Sequence, residues 1–75
     1  MDRISLDSTL LAWASYLPDL CLLQVGLRTG QDYEYYDVPA HTYSGLLLAK
    51  SKGRYYNLHI RNEFRFQRIK KTTAI

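Results

Sequence analysis

Residues 33–61, YEYYDVPAHTYSGLLLAKSKGRYYNLHIR, decide the fold because they join an aromatic strand, a helix that begins at a proline, and a basic segment with a glycine. The charge of the chain changes sign inside this segment. Residues 1–49 carry two Lys or Arg against six Asp or Glu, a net charge of −4, whereas residues 50–75 carry eight against one, a net charge of +7. The chain therefore has an acidic first part and a strongly basic C-terminal third.

Two strands are predicted before this segment. Residues 9–17 are β-compatible, and Pro18 with Asp19 then supplies a turn. Residues 20–28 are mostly apolar, and Leu23 and Val25 would lie on the same face of a strand. This pattern is typical of a central strand. Its buried position also predicts that Cys21, the single cysteine, is an inert core thiol.

A third strand follows an expected hairpin turn. Thr29 and Gly30 indicate a two-residue turn, since glycine accepts a positive φ at no steric cost. Residues 31–38 should then pair antiparallel with the preceding strand. Their alternation places Tyr33 and Tyr35 together on one face of the sheet.

A helix is predicted from Pro39, because proline is pre-set for the first helical turn and apolar residues follow at helical spacing. Residues 51–53 are predicted to end this helix. Lys50 and Lys52 would then lie at its C-terminal end, where cations suit the helix dipole.

The last third of the chain is less regular. Residues 55–62 fit either a short second helix or a strand, because their apolar residues satisfy both periods. Residues 64–68 favour a closing strand, and residues 70–75 are predicted to be a frayed tail. The sequence thus predicts an α+β fold with a small antiparallel sheet of three to four strands, one long helix and an optional short one, in the order β-β-β-α-α-β.

Size and composition limit the class of protein. A chain of 75 residues forms a single domain over residues 1–75. Its apolar runs are far shorter than the roughly 20 residues that a membrane span needs, and its N-terminus does not resemble a secretory signal. The single cysteine excludes an internal disulfide, so we expect a reducing, cytoplasmic location.

The side chains that enzymes use are few. His41 and His59 would have to meet a carboxylate such as Asp37 or Glu63 in a pocket, and ordinary surface histidines are the simpler interpretation. No metal-ligand spacing and no phosphate-cradling glycine loop is present in the sequence. We therefore expect a protein that is not an enzyme and that uses no metal and no cofactor.

Binding of nucleic acid is better supported by the residue types. Single strands are held by cations that contact phosphates and by aromatic rings on which bases stack. The candidate cations are Lys50, Lys52, Arg54, Arg61, Arg65 and Arg68, and the candidate rings are Tyr33, Tyr35, Tyr55 and Tyr56.

Other interpretations of the same residues stay open. Tyr33 and Tyr35 would also suit the core of a small sheet. Arg61 would also suit an internal ion pair with Asp37, and the basic residues would also suit a solvated face. The charge asymmetry would suit contacts between two copies of the chain or with a protein partner.

A set of short motifs, in a fixed order, resembles the KTSC domain family. The resemblance covers about residues 16–66 and centres on the Tyr-x-Tyr element. Its motifs are Arg28-Thr29-Gly30, Tyr33-Glu34-Tyr35, Asp37-Val38-Pro39, Ala49-Lys50-Ser51-Lys52-Gly53, Tyr55-Tyr56-Asn57 and Ile60-Arg61.

The resemblance implies small bacterial or phage proteins, and also a domain found at the C-terminus of some lysyl-tRNA synthetases. Attachment to such an enzyme implies binding of RNA or tRNA. We therefore expect a small non-catalytic module that binds RNA through a basic Arg/Lys face with an exposed tyrosine. The alternative is a protein-interaction or assembly module with no nucleic-acid role.

Overall fold

Five antiparallel strands follow one another in chain order across a single sheet, and two helices connect the fourth strand to the fifth. The computed structural model describes residues 3–69, so the predicted tail of residues 70–75 lies outside the described residues. The elements are β1 Ile4–Ser5, β2 Leu11–Leu17, β3 Leu22–Leu27, β4 Asp32–Tyr35, α1 Ala40–Leu48, α2 Lys52–His59 and β5 Phe66–Ile69.

This architecture confirms the predicted α+β class, with one strand more than expected. The additional strand is β1, whose two residues are both exposed and carry no alternating pattern. It forms by pairing with β2, in which Ala14 lies opposite Ile4. A strand this short depends on its partner and cannot be recognised from its own residues.

The register of the sheet puts its buried apolar residues on one face. Tyr16, Leu23, Tyr35 and Phe66 lie opposite one another across β2, β3, β4 and β5. Directly opposite residues in antiparallel strands project to the same face, and so do residues two positions apart. The predicted common face of Tyr33 and Tyr35 follows from this register.

The turns at the two ends of β3 differ from the prediction in detail. Gly30 has a positive φ of 98° as expected, but Leu27 N–H donates to Gln31 O at 2.8 Å, so the turn contains three residues. Before β3, the turn after Pro18 extends to Cys21, which has φ 49° and is exposed. The prediction of a buried Cys21 was wrong, because β3 begins only at Leu22, two residues later than predicted, and leaves Cys21 in the turn.

The second helix, which the sequence left optional, is present. The two helices are similar in length, with nine residues in α1 and eight in α2, so the expected difference in length was wrong. Pro39 immediately precedes α1, as predicted. Ser51 begins the second helix rather than ending the first, because its side chain accepts a hydrogen bond from Arg54 N–H at 3.3 Å. Residues 55–62 are thereby helical through His59.

Both helices cover the sheet face that carries Tyr35, and the core lies between the two layers. Tyr16 Oη donates to Val38 O at 2.5 Å, which fastens β2 to the segment before α1. The buried apolar residues are Leu6, Leu11, Ala14, Tyr16, Leu23, Val25, Tyr35, Val38, Leu46, Tyr56 and Ile60. Burial of each large aliphatic side chain contributes about 1.5–3 kcal/mol.

The opposite sheet face, which we call the open face, is not covered by the helices. It carries Gln24, Glu34 and Gln67 in one row, and Gln24 Nε2 donates to Glu34 Oε1 at 3.4 Å. Trp13 lies across the backbone of Gly26, where any side chain would overlap the indole. Neither helix within residues 3–69 has the length and apolar character needed to cross a membrane.

Candidate nucleic-acid interface

The helical layer, defined here as residues 40–62, carries no carboxylate at all. Its cations are Lys50, Lys52, Arg54 and Arg61. Within residues 3–69, the acidic side chains fall in the strands and loops outside this layer. The side of the molecule that the helices form is therefore positively charged, and anions are attracted to it.

Three of these cations line one cleft of about 630 Å³, which we call the basic cleft. It lies between the loop before β2 and the N-terminal end of α2. Its lining residues are Asp7, Ser8, Thr9, Leu10, Lys50, Ser51, Lys52, Gly53, Arg54, Asn57 and Leu58.

The start of α2 explains why the cations gather there. The sequence predicted Lys50 and Lys52 in the last turn of the first helix or just after it. Lys50 does lie just after α1, which ends at Leu48, but Lys52 is the first residue of α2. The unpaired N–H groups and the positive end of the dipole at a helix N-terminus add to the local positive charge. Two contributions of the same sign therefore meet in the basic cleft.

The cations of the basic cleft are only lightly engaged by the protein. Lys52 Nζ donates to Ala49 O at 2.9 Å. Lys50 and Arg54 are exposed, and neither forms a salt bridge to any carboxylate within residues 3–69. Asp7 lines the same cleft and opposes them with a single negative charge. The side chains that line the basic cleft therefore carry a net charge of +2.

A second cleft, of about 410 Å³, adjoins the first, and we call it the aromatic cleft. Leu10 lines both clefts, and Asn57 of the basic cleft accepts a hydrogen bond from Arg61 Nη1 of the aromatic cleft at 3.3 Å. The aromatic cleft is lined by Leu10, Leu27, Thr29, Gln31, Tyr33, Tyr35, Tyr56, Arg61, Asn62 and Phe66. Cations and rings thus lie side by side.

The tyrosines of the aromatic cleft have different roles. Tyr35 and Tyr56 are buried, and their hydroxyls form a short hydrogen bond to each other. Burial, and then the hydrogen bond to Tyr56, raises the pKa of Tyr35; burial likewise raises the pKa of Tyr56. Both form the floor of the cleft. Tyr33 is half-buried at its wall, and its hydroxyl donates to Gln31 Oε1 at 3.0 Å.

Tyr55, the remaining predicted ring, lies between the two helices rather than in the aromatic cleft. Its hydroxyl donates to Thr42 O at 3.0 Å. Its ring contacts that of His59, with centroids 4.6 Å apart. Gly45 in α1 lies against the same hydroxyl, and a side chain there would overlap it. Tyr55 therefore sets the spacing of α1 and α2.

The two arginines of the C-terminal segment lie on opposite faces of the sheet. Arg68 is opposite Tyr33 in the β4–β5 ladder, so it belongs to the face that the helices cover. Arg65 is on the open-face side, where its Nη2 lies 3.3 Å from Asp37 Oδ2 and its guanidinium lies 5.6 Å from the Tyr36 ring centre. The candidate cations therefore do not form one continuous face.

The ion pair between Arg61 and Asp37, one of the alternatives that the sequence left open, is not formed: Arg65 pairs with Asp37, and Arg61 contacts Asn57. Both ends of the Arg65–Asp37 salt bridge are about four-fifths exposed, at 79% and 82% of their side chains. Exposed pairs of this kind contribute little to stability. Arg61 is thereby left beside the rings of the aromatic cleft.

Phe66 is the residue that the sequence did not single out for this site. It lies next to Tyr33, with ring centroids 5.9 Å apart and an interplanar angle of 67°, and 54% of it is exposed. Its alternation within β5 was visible in the sequence, but its position opposite Tyr35 depends on the pairing of β4 with β5. No local pattern encodes that register.

The histidines do not extend the site. His41 is exposed on α1, and His59 packs against Tyr55. Within the described part of the chain, no group of three His, Cys, Asp or Glu side chains is placed to hold a metal ion.

Comparison with known proteins gives a consistent result. A model of the KTSC domain matches residues 7–64. A protein of Stutzerimonas stutzeri (strain A1501), described as uncharacterized, is 34% identical over 70 residues, which is 92% of this chain and 99% of that protein. The crystal structure of a KTSC domain protein from Yersinia pestis superimposes with a TM-score of 0.89 at 28% identity, over 92% of this chain and 97% of that one.

Proposed function

This chain belongs to the KTSC domain family, and we propose that it is a small non-catalytic module that binds single-stranded RNA across its two adjoining clefts. One observation carries the proposal. Lys50, Lys52 and Arg54 gather in a cleft at the start of α2, directly beside a second cleft lined by aromatic rings and Arg61. Cations that contact phosphates, next to rings on which bases stack, are the combination that single strands require.

A single strand fits these features better than a duplex does. A duplex hides its base faces, so an aromatic cleft would add nothing to its binding. The resemblance to a domain at the C-terminus of some lysyl-tRNA synthetases favours RNA, including tRNA, over DNA. Arginine at the aromatic cleft suits this partner, since a guanidinium both pairs with phosphate and stacks on bases.

The absence of catalysis and of a cofactor is part of the proposal. Neither His41 nor His59 forms a hydrogen bond or salt bridge to a carboxylate within residues 3–69. Cys21 is exposed in a turn, away from both clefts. We propose a cytoplasmic location, where RNA of this kind is available.

The test is a titration with labelled single-stranded RNA, tRNA and duplex DNA at several salt concentrations between about 50 and 200 mM, the range over which phosphate contacts weaken measurably. For single strands, the slope of log affinity against log salt is about −0.7 for each phosphate neutralised. The variant Lys50→Gln/Arg54→Gln should therefore flatten the slope by about 1.4.

Arg65→Gln is the matched control, because it removes one cation from the other side of the sheet. We expect its slope to equal that of the wild type. Equal slopes for all three proteins would reject the basic cleft as the phosphate site. No binding of any of the three nucleic acids at the lowest salt would reject the proposed function.

A second candidate is an assembly module, and exposed apolar side chains favour it. Leu20, Leu48 and Leu58 are 65%, 85% and 60% exposed, and β1 and β5 are the two edges of the sheet. Exposed strand edges can pair with another chain. Sedimentation at several protein concentrations separates the candidates, since a stable dimer would favour assembly and a strict monomer would not.

A further inference from the structure

We infer that the aromatic cleft holds one unstacked nucleobase of a bound strand, and that Phe66 is the ring on which this base stacks. The inference rests on the proposed function and assigns a role to the second cleft. It makes Phe66 a binding residue that touches the ligand, whereas Tyr35 and Tyr56 only form the floor beneath it.

The rings of the aromatic cleft are arranged as a corner. Tyr33 and Phe66 meet at 67°, so they form two walls, and Phe66 is tilted by 35° to Tyr35 at a centroid distance of 5.6 Å. The buried pair Tyr35 and Tyr56 closes the floor. With 54% of its surface exposed, Phe66 offers a ring face that the protein core does not use.

The rim of this corner is polar, which distinguishes it from a site for an apolar ligand. Gln31, Asn62 and Arg61 line the cleft together with the rings. Amide and guanidinium groups carry the donors and acceptors that read the edge of a base. A planar ligand with polar edges satisfies both the rings and the rim, and a nucleobase has this chemistry.

The position of the basic cleft identifies the base as part of a strand. Because Leu10 lines both clefts and Asn57 contacts Arg61, a base in the corner places its backbone toward Lys50 and Arg54. Arg68, opposite Tyr33 in the β4–β5 ladder, supplies a further cation on the same face of the sheet as this corner. A strand held in this way would have its backbone near the cations of the basic cleft, with Arg61 beside the stacked base.

The experiment compares a six-residue ribo-oligonucleotide with an abasic ribose-phosphate oligomer of equal length and charge at about 50 mM salt, where phosphate binding is strong. Stacking of one base contributes about 1–3 kcal/mol, so the wild type should bind the base-bearing oligomer about 5- to 150-fold more tightly. Phe66→Ala should lose most of that ratio and keep its affinity for the abasic oligomer. Phe66→Trp should retain the ratio.

Leu48→Ala is the matched control, because it removes an exposed apolar side chain that lines neither cleft. Circular dichroism of each variant verifies that the fold is intact. A Phe66→Ala variant with the wild-type ratio would overturn the inference and leave the proposed function standing, as would equal binding of both oligomers by the wild type. Failure of the wild type to bind either oligomer would overturn both.

Discussion

Aromatic side chains serve two regions of this molecule in different ways. In the interface between helices and sheet, the rings are inaccessible and the hydroxyls are bonded inside the protein: Tyr16 to Val38 O, and Tyr35 to Tyr56. In the aromatic cleft, Phe66 has no hydroxyl and shows more than half of its surface. The number of tyrosines therefore says little about stacking sites, and the accessibility of a ring face decides between packing and binding.

The same difference separates the cations. Arg65 already has a carboxylate partner in Asp37, whereas Lys50 and Arg54 form no salt bridge within residues 3–69. The difference between the two regions can be tested by removing a whole ring, a single hydroxyl or a single proton, in order of decreasing expected effect on stability.

Removal of a whole ring should have the largest effect. Tyr56 is 3% exposed, and Tyr56→Ala should lower the free energy of unfolding by about 3–5 kcal/mol, the usual cost of deleting a buried aromatic ring. Phe66→Ala should lower it by only about 1 kcal/mol, because over half of that ring is already in water. Urea denaturation measures both. Equal losses would show that the two regions are not distinct.

Removal of a hydroxyl alone should have an intermediate effect. Tyr35→Phe leaves the buried Tyr56 hydroxyl without its partner, so we expect a loss of about 1–3 kcal/mol. The double variant Tyr35→Phe/Tyr56→Phe should regain part of that loss, since neither partner then remains unsatisfied. Tyr33→Phe, at the exposed bond to Gln31, should change stability by less than about 0.5 kcal/mol. An unchanged free energy of unfolding in Tyr35→Phe would show that the hydrogen bond between Tyr35 and Tyr56 does not stabilise the fold.

Alkaline pH should act through the proton of Tyr35. Burial raises the pKa of Tyr35 above its ordinary value of 10.0, so the folded protein holds this proton more tightly than the unfolded chain does. The associated stability is present below about pH 10 and is lost as the pH rises toward the folded-state pKa. The loss is about 1.4 kcal/mol per pH unit for one such group.

Denaturation curves between pH 9 and 12 for the wild type and Tyr35→Phe measure this effect, because lysines contribute equally to both and cancel in the difference. The wild type should lose stability more steeply above about pH 10, the ordinary tyrosine pKa. An equal loss of stability with pH in the wild type and in Tyr35→Phe would show that the effect does not come from Tyr35.

The fold could be predicted from sequence wherever a pattern is local. The alternation around Leu23 and Tyr35, the positive φ at Gly30 and the helix start at Pro39 depend on nearest neighbours, and all are present in the structure. Ser51 was predicted to end the first helix because a serine two residues before a glycine suits both a helix end and an N-cap. Only its hydrogen bond from Arg54 N–H decides between the two.

The site could be predicted only as a set of residue types. Lysine and arginine side chains were identified, but side chains alternate along the chain at β5, which puts Arg65 and Arg68 on opposite faces of the sheet. The pairing of β5 with β4 decides which of the two arginines lies near Tyr33. Phe66 gained its position from the same ladder. Both positions depend on the pairing of β4 with β5. Two helices separate these strands in the chain, so no short window of sequence contains the pairing.

The most direct test of the central claim is an NMR titration of ¹⁵N-labelled protein with single-stranded RNA at low salt. The account predicts that amide signals of the two clefts shift, including those of Leu10, Arg54, Arg61 and Phe66, while Gln24 and Glu34 on the open face stay unchanged. Shifts confined to the open face, or none at an RNA concentration that saturates binding in the titration above, would contradict it.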